Sequence, residues 1–193
     1  NSIQASFKMK QKYKYVYNVA FSNEEEKAIK LLNKFKSIVH IKDVVYCITD
    51  KKTNFKTKKI LKNFCKNKKN FKFLNILNSK TFSQTKLLGL KKSTKFDYIF
   101  DLDGNNAHDP RSINHFKKII EKYNIDAVCS SRFKEGGSYK SNNKFSRYAI
   151  SLLGGKISNF FLGMKYTDPT GGYICFNNKI KKHILKTKIY SKA

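Results

Sequence analysis

Arginine is scarce in this chain, although positive charge is not. Of the 41 basic residues among 193, only Arg111, Arg132 and Arg147 are arginine; the acids number 13 and the formal net charge is +28. Proteins that read phosphates or base edges lean on the bidentate fork of arginine. Its scarcity weighs against a non-catalytic nucleic-acid-binding protein, and no specific nucleic-acid partner is expected. Glycine and proline are also few, at 9 and 2, while lysine and asparagine abound, the pattern an AT-rich coding sequence produces. The lysines are spread along the chain, so most of the charge reads as a solvated coat. A field of this sign still attracts anions such as nucleotides, diphosphates and anionic headgroups.

Long apolar runs are missing too. No window approaches 18 uninterrupted apolar residues, which excludes a transmembrane helix in this stretch. Residues 1–12 hold no apolar signal-peptide core and read as a loose or non-native tail, with residues 13–193 as a single domain. Cys47, Cys65, Cys129 and Cys175 stand far apart, with no Cys-x-x-Cys and no His pair, so spacing offers no zinc site. Reduced, structural thiols and a cytoplasmic location are expected. With 40 % apolar and 14 % aromatic residues, one sizeable core is within reach.

What is present is an alternation. Tyr13–Val19 reads as a strand, followed by a helix that opens at Asn23-Glu24-Glu25-Glu26, with Asn23 as its cap. Val44–Ile48, Phe71–Ile76, Asp97–Leu102 and Asp126–Ser130 are further strands. Helices are predicted near Lys56–Phe64 and Phe82–Leu90, and from Pro110 to Tyr123. Strands and helices alternating at this pitch predict an α/β fold, a mostly parallel sheet with helices on both faces. In such sheets ligands sit at the carboxyl ends of strands.

Three polar clusters stand where that rule looks for chemistry. The fourth strand ends in Asp101-Leu-Asp103-Gly104; carboxylates at i and i+2 leave a strand on one side, and two hard oxygen donors there suit Mg²⁺ or Mn²⁺ shared with a substrate phosphate. A lone Asp-x-Asp also ends many ordinary strands. Ser130-Ser131-Arg132-Phe133, with Gly136-Gly137 behind it, offers a fork for phosphate on a flexible loop, or an ordinary turn. Tyr166-Thr-Asp168-Pro-Thr170-Gly-Gly172-Tyr173, taken alone, is a turn. His108 either completes a metal shell or caps the helix that follows, and the cap is the reading preferred. Ala149–Met164 is apolar with helical spacing and follows Lys140, Lys144 and Arg147, a pattern for packing on the sheet or for an interfacial face.

Taken in order, Asp101-x-Asp103, His108-Asp109-Pro110, Ser131-Arg132-Phe133 with the glycine pair, and Asp168-Pro-Thr170-x-Gly172-Tyr173 resemble inverting glycosyltransferase family 2. The closest likeness is to its polyprenyl-phosphate transferases, typified by dolichol-phosphate mannose synthase; Asn23-Glu24 and Asp50 match that pattern in the first half. The resemblance implies a GT-A nucleotide-diphospho-sugar transferase fold with Mg²⁺ or Mn²⁺ at Asp101 and Asp103. It also implies a nucleotide pocket lined by Asn23, Glu24 and Asp50, for a GDP- or UDP-sugar donor. Asp103, Asp168 and Arg132 would be the catalytic residues, and Arg132, Arg147 and Thr170 would hold the phosphate of a polyprenyl phosphate acceptor. Such an enzyme would be peripheral at the cytoplasmic face of a membrane, on its anionic surface. A family member that builds surface polysaccharide on a sugar acceptor is the alternative. The sequence departs from the pattern at Val19-Ala20-Phe21-Ser22, at Thr49 in place of an acid, at the inserted Asn105-Asn106-Ala107, and at Gly171 and Ile174, where Ser and Arg are usual. Such enzymes usually continue with another strand about where this chain stops, so a domain incomplete at its C-terminal end is expected.

Overall fold

The structure is a computed structural model that describes residues 12–134, 145–163, 166–168 and 171–186, with the side chains of 145–148 and 162 left aside. The elements run β1 (Tyr15–Ala20), α1 (Glu25–Ile38), β2 (Val44–Asp50), α2 (Phe55–Cys65), β3 (Phe71–Ile76), α3 (Phe82–Lys91), β4 (Tyr98–Asp103), a short 3₁₀ turn (Pro110–Ser112), α4 (Ile113–Tyr123), β5 (Ala127–Cys129), α5 (Phe145–Leu162), β6 (Ile174–Asn177) and α6 (Asn178–Lys186).

Six strands form one sheet in the order β3-β2-β1-β4-β6-β5. β1 pairs in parallel with β2 and β4, and β2 with β3. All six residues of β1 are buried, as befits a central strand covered on both faces. Alternate side chains divide between two cores. Tyr15, Tyr17, Val19, Phe100 and Leu102 meet α1, α2 and α4 through Leu31, Phe35, Leu61 and Phe116. Val16, Ile48 and Ile99 face the other way, to Leu90 of α3 and to Ile180 and Ile184 of α6. Helices on both faces are therefore as the alternation predicts.

The sheet also contains a strand that the alternation does not predict. β6 runs antiparallel between β4 and β5, with Phe100 opposite Cys175 and Val128 opposite Cys175 on its other side. It is only four residues long and follows a glycine pair, so its local pattern is that of a turn. A buried edge of β4 is what converts it into a strand, because unpaired backbone groups there would be left without partners.

Two capping expectations are corrected. Glu24, not Asn23, occupies the position before α1 and makes no side-chain cap; Asn23 Oδ1 instead accepts from the Asn54 amide at 2.8 Å, joining the start of α1 to that of α2. Asp109, not His108, caps the 3₁₀ turn, accepting from the Arg111 amide at 3.1 Å. Beneath α4, Lys117 Nζ lies 2.7 Å from Asp43 Oδ2, which also accepts from Tyr17 Oη at 3.0 Å. Asp43 Oδ1 accepts from the Tyr15 amide, so this fully buried carboxylate pins β1 to α4.

Candidate active site

The register of the central strands sets the site. Ala20 at the end of β1 lies opposite Ile48 of β2 and Asp103 of β4, while Asn18 lies opposite Asp101. Asp101 and Asp103 therefore project from the carboxyl end of β4 on the face covered by α3. There Lys86 reaches both: its Nζ is 3.0 Å from Asp101 Oδ2 and 2.9 Å from Asp103 Oδ1. The other oxygen of Asp101, Oδ1, is buried with no hydrogen-bond partner, as is Nδ2 of the neighbouring Asn18.

Burial raises the Asp101 carboxyl to about 6 even though Lys86 pulls the other way. For Lys86, burial works to lower the ammonium, and the two carboxylates outweigh it, so it is held above its ordinary range. Glu24 is raised first by burial, is lowered by the Ser22 amide bonded to it, and is raised again by Asp103; the start of α1 thus shares the field of the acid pair. His108 is lowered, first by burial, and the charges acting on it are Asp103, Lys86, Arg132 and Asp168. That list draws the two halves of the sequence pattern into one place.

Glycines shape the floor. A Cβ on Gly172 would stand 3.5 Å from Asp103 Oδ2 and 3.7 Å from His108 Nε2, and one on Gly104 would run into the Phe21 ring at 2.2 Å. Gly171 packs on the Ser130 carbonyl, 3.0 Å from where a Cβ would be, so the serine usual in the family would crowd that contact.

Asp50 ends β2 as a buried acceptor. Its Oδ1 takes the amides of Lys52 and Thr53, each at 2.9 Å, and Oδ2 takes Thr85 Oγ1 at 3.4 Å. The bond to Thr85 fixes α3 one residue before Lys86. Thr49, standing for an acid, donates to Asn75 Oδ1 on β3 at 3.1 Å.

Arg132 and Asp168 form a fork. Arg132 Nε meets Asp168 Oδ2 at 2.7 Å and Nη2 meets Oδ1 at 2.8 Å, and the Arg132 amide adds a third bond at 3.0 Å. Arg147 lies on α5, its side chain outside the description; Thr170, Gly136, Gly137, Lys140 and Lys144 lie outside the described residues.

Sequence reasoning misses Lys86. It is one of many lysines, and nothing local separates it from the coat; only the packing of α3 across β1, β2 and β3 brings it within reach of the acids at the end of β4. The donor set does fit a hard divalent ion. Two carboxylate oxygens already share one cation, a third is buried without a donor, and among the described residues no group of three or more acids, histidines or cysteines gathers round them. An ion held there would complete its shell with phosphate oxygens and water, as Mg²⁺ and Mn²⁺ do.

The glycosyl transferase family 2 model matches residues 19–185. The chain belongs to that family. Solved structures share its GT-A fold. A mannosyltransferase from Pyrobaculum calidifontis, solved with GDP-Man and Mn²⁺, is 10 % identical with a TM-score of 0.61, over 89 % of this chain and 46 % of its own. Glucosyl-3-phosphoglycerate synthase from Mycobacterium tuberculosis, with Mn²⁺, UDP and phosphoglyceric acid, is 11 % identical with a TM-score of 0.62, over 88 % and 57 %. TarS of S. aureus with UDP-GlcNAc is 20 % identical with a TM-score of 0.52, over 63 % and 38 %. The chain thus spans between 38 % and 57 % of the length of these solved chains.

Proposed function

We propose that the protein transfers a hexose of mannose or glucose type from a GDP- or UDP-linked donor to a polyprenyl phosphate, with inversion, at the cytoplasmic face of a membrane. The observation that carries the transferase reading is the acid pair Asp101 and Asp103, gathered round a cation at the carboxyl end of β4 in a family 2 chain. The bond from the anomeric carbon to the diphosphate breaks, its electron pair leaving with the phosphate. A bond from an acceptor oxygen forms on the opposite face of that carbon.

Mg²⁺ or Mn²⁺, when bound, would supply positive charge to offset that of the departing diphosphate. Asp101 and Asp103 would hold it, while Asn23, Glu24 and Asp50 border the nucleotide. Arg132, oriented by Asp168, together with Arg147 and Thr170 would take the acceptor phosphate. That phosphate is already an anion, so no general base is assigned.

A stripe on α5 supports the lipid acceptor. Ile150, Leu153, Ile157, Phe160 and Phe161 are all more than half exposed, and their spacing places them along one side of the helix. No described helix is long and apolar enough to cross a membrane, which leaves an interfacial seat for this face, aided by the positive charge.

The test is sugar transfer from labelled GDP-mannose, UDP-glucose or UDP-GlcNAc in anionic vesicles containing polyprenyl phosphate, with Mn²⁺. Metal-dependent label in the solvent-extractable lipid is expected, lost in Asp103→Asn and reduced in Phe160→Ser/Phe161→Ser. Label found only on an added oligosaccharide would replace the lipid reading with that of a polysaccharide builder.

A further inference from the structure

The Lys86 ammonium occupies the space between the two carboxylates assigned to the metal. Its two contacts, at 3.0 and 2.9 Å, are both within ion-pair range, and its side chain is only 19 % exposed. The helix that delivers it is held from behind. Thr85 is fully buried and bonds Ser79 Oγ at 2.9 Å and Asp50 Oδ2 at 3.4 Å, while Gly89 lets α3 close on Ile48, where a Cβ would meet the Ile48 side chain at 2.4 Å. These contacts anchor the backbone of α3, so a displacement of the ammonium falls to the rotatable stem of the lysine.

A divalent ion and an ammonium on the same pair of carboxylates repel one another at close range. Two carboxylates carry two negative charges; a divalent ion neutralises both, and an ammonium left 3 Å away would repel it strongly in a partly buried site. We infer that Lys86 is a tethered counter-ion that competes with the divalent metal for Asp101 and Asp103. Free metal then binds weakly. The incoming diphosphate, whose non-bridging oxygens share its negative charge, supplies both the missing metal ligands and a new partner for the displaced ammonium, so metal and donor enter together. This rests on the reading of the acid pair as the metal site of a nucleotide-sugar transferase.

The test is Mn²⁺ binding, followed by loss of the free-ion electron paramagnetic resonance signal, in the wild type, Lys86→Met, Lys86→Arg and Asp103→Asn, without nucleotide. Methionine keeps most of the stem and removes the charge. Lys86→Met is expected to bind Mn²⁺ at least about tenfold more tightly than the wild type, and Lys86→Arg to stay close to the wild type. The same contrast is read from the rise in Tm on adding Mn²⁺, which is expected to be larger for Lys86→Met and also reports that this variant folds. Mn²⁺ affinity for Lys86→Met within threefold of the wild type, or weaker, overturns the inference while leaving the metal site intact. Binding that survives in Asp103→Asn unchanged overturns the metal site itself, and the inference with it.

Discussion

The guanidinium of Arg132 meets the carboxylate of Asp168 through two parallel hydrogen bonds, of 2.7 and 2.8 Å, across 36 residues of chain. Asp168 is almost wholly buried, its side chain 1 % exposed, whereas that of Arg132 is 29 % exposed. The fork joins the loop after β5 to the loop before β6, and so holds together the two clusters that flank the acid pair.

Arg132→Ala leaves Asp168 as a buried charge without its fork. Loss of a partner from such a pair costs about 3–5 kcal/mol, and urea denaturation is expected to show a loss near the lower end because the arginine is partly solvated. Arg132→Lys restores the charge but not the fork, and is expected to recover less than half of the stability.

Asp101, raised to about 6, predicts the acid limb of donor binding. Below that value the carboxyl is protonated and loses its hold on any cation, so metal-dependent affinity for GDP or UDP is expected to fall as pH drops from 7 to 5. The same group acts on stability with the opposite sense. Its folded value lies above the unfolded value of 3.8, so between about 4 and 6 the folded state binds more protons and this carboxyl's contribution to stability declines as pH rises. Asp101→Asn is expected to remove both effects, and the gap in stability between variant and wild type is expected to widen across that window and level off above it.

Two glycines of the site predict different outcomes. A methyl on Gly104 runs into the Phe21 ring at 2.2 Å, and Phe21 is 1 % exposed; overpacking of this kind costs about 1–3 kcal/mol. Gly172→Ala meets only ordinary contacts at 3.5 Å and beyond, so its Tm is expected to change little. Gly172→Val, however, crowds Asp103 and His108 and is expected to weaken nucleotide binding in a protein that still unfolds cooperatively.

Lys117 and Asp43 are remote from the acid pair and serve the fold. Lys117→Met takes the cation away from the fully buried Asp43 carboxylate, to which the Tyr17 hydroxyl and the Tyr15 amide still donate. About 3 kcal/mol or more of destabilisation is expected by denaturant titration. Donor affinity measured well below the transition is expected to match the wild type.

The alternation of strands and helices is legible in the residues alone, because each apolar run has the length and flanking turns of one covered strand or one helix face. The sequence also placed Asp101 and Asp103 at a strand end and marked Arg132 as uncommon against a lysine background. The motif order was local information too, and the family match over residues 19–185 agrees with it. Tertiary structure decided the rest. β6 is a strand only because β4 and β5 offer it two edges, which a four-residue segment after Gly172 cannot announce. Asn23 and His108 carry cap-like residue types, yet the neighbouring α2 and the packing of Tyr173 on His108, with ring centroids 5.1 Å apart, give them other partners. The commitment of Arg132 to Asp168 depends on two loops meeting. Lys86 is set apart from the other lysines only where α3, anchored through Thr85 and Gly89, lays it across both acids. A side chain's charge is written in the sequence; the partner that charge finds is set by long-range packing.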